Sequence, residues 1–349
     1  MRTYPEKRSS TLPVLLLTIF IGALALSACG DTSTATPVPA PTARPTTPAT
    51  TAASTSGKIA VVLSGPKEDA SWNSLGYEAV IEMRNTLGVK VDYAENVTTD
   101  KEAEVFKDFA EKGYGLIIAH GAEFEGTVLK VAPSYPKTWF LVYNGDISGP
   151  NYASMRFKGE EASYLAGIVA ARAVKGTRFG LVMGPKVPGE IAIEEGFKQG
   201  LKATSNQALT TTINLDSWDD ENAGRNAANQ LFDQGVDVIL YTINPLSQPV
   251  LQVAEARGKK AINLSYDLQS LSPNNILTSI VISVPASFMV PARLWTENKL
   301  EGKIYRLGLK EGAISITSPG NKISSEDMLM VEQARGDIIT GRLKVKDTP

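Results

Sequence analysis

Cysteine and histidine are nearly absent: the 349 residues hold one of each, Cys29 and His120. A single cysteine excludes an internal disulfide and any cysteine-based zinc cluster. A lone histidine makes a poor metal site, and no activated nucleophile is marked for it to serve. Concentrated positive charge is also missing. The formal net charge is −2 with no Lys or Arg run, which argues against a nucleic-acid partner because phosphate binding needs a dense basic surface. No GxSxG, P-loop or GxGxxG pattern occurs. The expectation is therefore a non-enzyme with no catalytic residue, no metal and no cofactor.

What is present begins at the N-terminus. Arg2, Lys7 and Arg8 precede the apolar stretch "LPVLLLTIFIGALAL", which leads into "LSAC" ending at Cys29. That apolar stretch is short for a membrane span of about 20 residues and has the charged flank and small residues of a secretory signal. Leu26-Ser27-Ala28-Cys29 resembles a bacterial lipobox, implying cleavage before Cys29 and lipid attachment there. Residues 30–57 are dominated by Thr, Ala and Pro with no aromatic residue. Such a segment buries too little apolar surface to offset its ordering entropy and reads as an extended tether. The expected division is 1–28 signal peptide, 29–57 lipidated cysteine and tether, and a folded body from residue 58.

In that body, apolar runs alternate with helical patterns. "KIAVVLS" (58–64) precedes a helix near 71–87, 89–96 one near 100–112, and "GLIIAHG" (115–121) one near 124–132. "TWFLVYNG" (138–145), a short strand near 152–157 and a helix near 160–174 follow. The rhythm restarts at "RFGLVMG" (178–184) and runs through 209–215, "DVILYTIN" (237–244) and 260–266. Continuous apolar strands are buried on both faces, as in parallel sheets flanked by helices. The fold class expected is α/β, with two Rossmann-like lobes joined by hinge crossovers. The first lobe comprises 58–158 and 284–310, and the second 159–283 and 311–349. The tail at 301–318 reads as a hairpin-like pair turning at Glu311-Gly312, with a closing helix near 325–340.

Several stretches together resemble a known family. These are "DASWNSLGYEA" (69–79), "EEASYLAGIVAA" (160–171), "EEGFKQGL" (194–201), "QGVDVI" (234–239), "ILTSIV" (276–281), "LGLKEGAI" (307–314) and "IITGRLKV" (338–345). In this order, behind a lipobox, they are similar to the basic membrane lipoprotein (BMP) family of ABC-transporter substrate-binding proteins. The resemblance implies a type I periplasmic-binding-protein fold and a purine nucleoside or base as ligand. The pocket departs from the nucleoside-binding pattern at Asn144 and Ser265, where that pattern has Asp, and at Ile282, where a Lys is usual. Losing those charges removes the strongest class of hydrogen bond. "AENV" (94–97), "DSWDD" (216–220) and Trp at position 72 are instead similar to the branch that binds free purine bases.

In open parallel sheets, ligands sit outside the carboxyl ends of the strands, which selects the candidate ligand residues. Trp72 stands where a strand hands over to a helix and reads either as a stacking platform or as core. Asp69 and Asn73 serve either the ligand or the helix start. Trp218, placed like Trp72 but in the second lobe, reads either as pocket lining or as an interlobe or capping contact, and Phe124 is either a ring edge for the ligand or core. Asn144 closes a strand, Asn244 (with Ser247 nearby) reads as base-edge reader or turn residue, and Asp267 as ligand contact or solvated loop. The function expected is a lipid-anchored, monomeric solute receptor on the extracytoplasmic face of the bacterial membrane. It would pinch a flat uncharged heterocycle between two indoles and deliver it to ABC permease subunits. Two alternatives stay open: a sensory or regulatory lipoprotein signalling to a membrane kinase, and an extracellular hydrolase using carboxylates alone.

Overall fold

The computed structural model describes residues 57–69, 72–243 and 248–348. Cys29, the lipobox and the tether lie outside them.

The first sheet takes its strands from the apolar runs at the start of the body. These are β1 (Lys58–Val62), β2 (Lys90–Ala94), β3 (Leu116–Ala119), β4 (Trp139–Tyr143) and β5 (Tyr152–Phe157). Helices α1 (Trp72–Thr86), α2 (Glu102–Glu111) and α3 (Glu125–Val131) alternate with them. The second sheet follows helix α4 (Gly159–Ala173), with β6 (Arg178–Met183), β7 (Leu209–Asn214), β8 (Val238–Tyr241), β9 (Lys260–Ser265) and β10 (Ile276–Ile282). Its helices are α5 (Pro188–Thr204), α6 (Glu221–Asp233) and α7 (Pro249–Ala256). The chain then returns through α8 (Val284–Thr296) and β11 (Ile304–Leu307), and ends with β12 (Ile314–Ile316) and α9 (Ser325–Ile339). Strand order is β11-β5-β4-β3-β1-β2 in one sheet and β12-β10-β9-β8-β6-β7 in the other. Among the described residues, every pairing of these strands is parallel except β10 with β12.

Residues 301–318 do not form the expected hairpin. Gly312 does occupy the left-handed backbone region (φ 69) that a tight turn needs. The strands on either side of that turn, however, join different sheets: β11 runs parallel to β5 and β12 antiparallel to β10. Each strand completes the free edge of a different sheet. The same chain also passes between the sheets around Lys158 and Ser283.

The period-2 alternation of strand side chains divides the interior. Leu116, Ile118, Leu141 and Tyr143 join one large apolar cluster with Leu181, Leu240 and Ile262 of the second sheet. Their neighbours Ile117, Ala119, Phe140 and Val142 line the other face of the first sheet, and Val182, Ile239 and Tyr241 that of the second. Ile282, one of the departures from the nucleoside-binding pattern, is buried apolar surface in the shared cluster. Helices α4 and α5 meet at backbone distance because glycines face the contact. A methyl group at Gly196 would lie 2.2 Å from the Glu160 carbonyl oxygen, and one at Gly200 would lie 2.0 Å from that of Tyr164. Among the described residues, no helix is long and apolar enough to cross a membrane.

Candidate functional site at the carboxyl ends of the strands

The loop between β1 and α1 is held by the polar residues that the sequence offered for ligand contact. Asp69 accepts the backbone N–H groups of Asn73 (3.0 Å) and Ser74 (2.9 Å), so it caps α1. Asn73, buried, donates its amide to Asp69 (2.9 Å) and accepts the N–H of Gly65 (3.0 Å). Both side chains are engaged in shaping the loop.

Trp72 is half-buried and belongs to an internal aromatic stack. Its indole N–H donates to the His120 carbonyl (3.1 Å), and His120 Nε2 lies 2.8 Å from the Trp72 carbonyl. The two rings stack at 4.3 Å with planes 15° apart. Tyr143 lies 5.4 Å from Trp72 and 5.4 Å from His120, nearly parallel to both. A ring sandwiched between two others would hold its neighbours roughly 7 Å apart, twice the ordinary van der Waals spacing. No ring of this triangle is therefore sandwiched between the other two, and one indole face of Trp72 is left uncovered by them. Phe288 of α8 closes the cluster edge-on, 5.6 Å from His120 and 5.4 Å from Tyr143.

Burial lowers the His120 pKa to about 4, against smaller raising effects from the Trp72 carbonyl and the Asp69 charge. The ring is therefore neutral at pH 7. A proton on Nε2 satisfies the Trp72 carbonyl, and Nδ1 has no hydrogen-bond partner among the described residues. Tyr143 is fully buried and its pKa is raised by desolvation. The nearby Ser287 hydroxyl donates to the Ser283 carbonyl (2.8 Å) instead.

On the second sheet, Trp218 lies between β7 and the start of α6, which Asp220 caps through the Ala223 N–H (2.9 Å). The residue is 40% exposed. Its N–H points inward and donates to Glu190 Oε1 (3.1 Å). Its N–H edge sits against Gly184, where a methyl group would come within 2.1 Å of the indole nitrogen. Glu190, in the first turn of α5, is 7% exposed. Its other oxygen accepts from the Thr242 hydroxyl (2.6 Å) and the Gly184 N–H (3.3 Å). Burial raises the Glu190 pKa, while the Thr242, Trp218 and Gly184 donors pull it back.

The remaining candidates divide. Asn144 is exposed at the end of β4 in the left-handed region (φ 59), and its N–H donates to the Met155 carbonyl (2.7 Å). Asparagine tolerates that conformation better than most residues. Asp267 is exposed, and its side chain accepts from the Gln269 N–H (3.0 Å) in a local turn. Asn244 and Ser247 lie outside the described residues. Phe124 requires a correction: it is fully buried on the outer face of the first sheet, 5.8 Å from Phe106 and packed with Val128 and Phe140. It is core, because the segment after β3 turns its ring under α2 and α3 rather than over the strand ends.

Glu190, Gly184, Thr242, Tyr143 and Phe288 are not among the site residues expected from sequence. For Tyr143 a signal exists, since alternation from Leu141 aims it at the same face as His120. Ser265 closes β9 at φ 95, a backbone strain of the kind concentrated at ligand sites. Among the described residues no group of three or more His, Cys, Asp or Glu side chains is placed to hold a metal ion.

Comparison with known proteins places the chain in a family. A purine-binding protein of Brucella abortus is 26% identical over 299 residues, covering 83% of this chain and 85% of the relative. The transcriptional activator protein Med of Bacillus subtilis is 25% identical over 260 residues, covering 74% and 81%. The crystal structure of a transcriptional activator of the comK gene from Bacillus halodurans superposes with a TM-score of 0.74 at 25% identity, covering 82% and 99%. Solved ABC-transporter solute-binding proteins share the fold. Proteins of the matching family bind solutes and are not enzymes. Residues 56–349 match its pattern, and the chain belongs to the family of PnrA-like ABC transporter substrate-binding proteins (Bmp).

Proposed function

We propose that this protein captures a purine base or nucleoside between two lobes, 58–158 with 284–310 and 159–283 with 311–349. It then delivers the ligand to an ABC permease while anchored to the extracytoplasmic membrane face through a lipid on Cys29. One observation carries the ligand class: the orientation of Trp218. A surface tryptophan ordinarily keeps its N–H in water and buries its hydrocarbon body. Here the N–H is tied to buried Glu190 while 40% of the residue stays exposed, so exposed ring surface is held ready for a flat partner. Base–aromatic stacking contributes about 1–3 kcal/mol per base, a sizeable part of the ~8 kcal/mol of micromolar binding. The face of Trp72 that His120 and Tyr143 leave uncovered would supply the opposing surface from the first lobe. Similarity to the Brucella purine-binding protein supports the same class.

The test is a thermal-shift and calorimetric screen of the full chain against adenine, hypoxanthine, adenosine, inosine, riboflavin, sugars and amino acids. A purine-class ligand alone should stabilise the protein. If only sugars or amino acids do so, the purine reading fails and the solute-binding assignment stands.

A second reading, a regulatory protein that passes ligand state onward, is favoured by the similarity to Med and to the Bacillus halodurans activator. Deleting the gene and measuring labelled purine uptake beside transcript levels separates the two. Lost uptake supports transport, and altered transcription with intact uptake supports regulation.

A further inference from the structure

The inward N–H of Trp218 has a specific cause. Glu190 is a carboxylate at 7% exposure that accepts from three donors on three separate segments: Trp218 after β7, Thr242 after β8 and Gly184 after β6. The Thr242 hydroxyl also accepts from the Gly184 N–H (3.1 Å), which locks the carboxylate from the far side. Gly184 leaves the room that the N–H edge of the indole occupies, since any side chain there would strike the ring nitrogen. The bond from the indole N–H to this fixed, buried oxygen is more directional than a bond to mobile water. Without it, the ordinary preference of an indole is to turn its N–H outward and lay its ring on the protein.

We propose that Glu190 is a positioning residue for ligand capture: its carboxylate, braced by Thr242 and Gly184, holds Trp218 edge-in so that the ring meets a flat heterocycle. This rests on Trp218 as the ligand platform. Glu190 itself acts only through the indole. A purely structural role for Glu190 would lower stability without turning the indole, and the two roles separate by experiment.

The full chain is labelled with 15N-tryptophan, and its four indole signals are assigned by Trp→Phe substitutions. In Glu190→Ala the Trp218 indole N–H should shift and lose about tenfold or more of its protection from solvent exchange, while the other three indoles stay in place. Adenine and hypoxanthine affinity should fall by about tenfold, within the range one stacked base is worth. On a Trp218→Ala background the same substitution should cost less than about twofold, because the two losses are one interaction. Glu190→Gln keeps the volume, can still accept from the indole and can donate to Thr242, so it should recover affinity to within about threefold of wild type. It also provides the reading if Glu190→Ala does not fold. An unmoved Trp218 signal in the alanine variant, or an equal affinity loss in both backgrounds, overturns the proposal. If wild type binds neither probe, the purine reading falls and the capture role with it, whereas the indole signal still decides whether Glu190 fixes Trp218.

Discussion

His120 makes the protein acid-sensitive in a way that a single substitution reports. In the unfolded chain its pKa is that of a free imidazole, about 6.5, and in the folded protein burial lowers it to about 4. Between those values the unfolded state binds more protons, so stability is complete above about pH 6.5 and falls as the pH drops toward 4. At pH 4.5 the unfolded histidine is nearly all protonated and the folded one mostly neutral. A tenfold difference in proton affinity between the two states is worth about 1.4 kcal/mol, so folding loses roughly 2.5 kcal/mol relative to pH 7.5. The assay is urea unfolding at both pH values for wild type and His120→Gln. Carboxylates elsewhere contribute to both proteins alike, so the difference between the two pH slopes isolates the histidine. The variant should be less stable at pH 7.5, because the stack on Trp72 is lost, yet on acidification it should lose roughly 2.5 kcal/mol less than wild type. Identical pH slopes for the two proteins would refute a buried neutral imidazole and, with it, the reciprocal bond between His120 and Trp72.

Two further substitutions separate core from site. Phe124→Ala should cost about 3–5 kcal/mol of stability, the usual range for emptying a buried phenylalanine site, while folded molecules bind purine with unchanged affinity in calorimetry. A ligand-contact role would instead show as weakened binding at full stability. Asp69→Ala removes the cap of α1 and should lower urea-unfolding stability by about 0.5–2 kcal/mol. It should also increase amide exchange in residues 64–74 more than in the rest of α1.

Much of the architecture was legible because burial on both faces leaves a continuous apolar signature. Lys58–Leu63 and Gly115–His120 needed no tertiary information to be read as parallel strands, and alternation from Leu116 and Ile118 even predicts the face on which His120 falls. The hairpin expected at 301–318 failed for a physical reason. Turn chemistry is local, and Gly312 does turn, but which sheet edge a strand completes depends on where two distant sheets stand open. In the site, one positional rule gave opposite results. Trp72, Trp218 and Phe124 all follow a strand, but the rule does not say to which face of the sheet the next turn carries a ring. Phe124 falls beneath α2 and α3, Trp72 joins the stack with His120, and Trp218 stays at the surface. Glu190 was invisible because an acid in a helix's first turn is the ordinary solvated complement of the helix dipole. Its partners Thr242, Trp218 and Gly184 come from other segments of the chain, which the local sequence does not reveal.

The most direct measurement is a crystal structure of the protein soaked or grown with adenine or hypoxanthine. The base plane should lie within about 4 Å of the Trp218 ring, parallel to it, with the indole nitrogen still bonded to Glu190. A base bound away from this ring, or an indole turned outward in the occupied protein, would contradict the account.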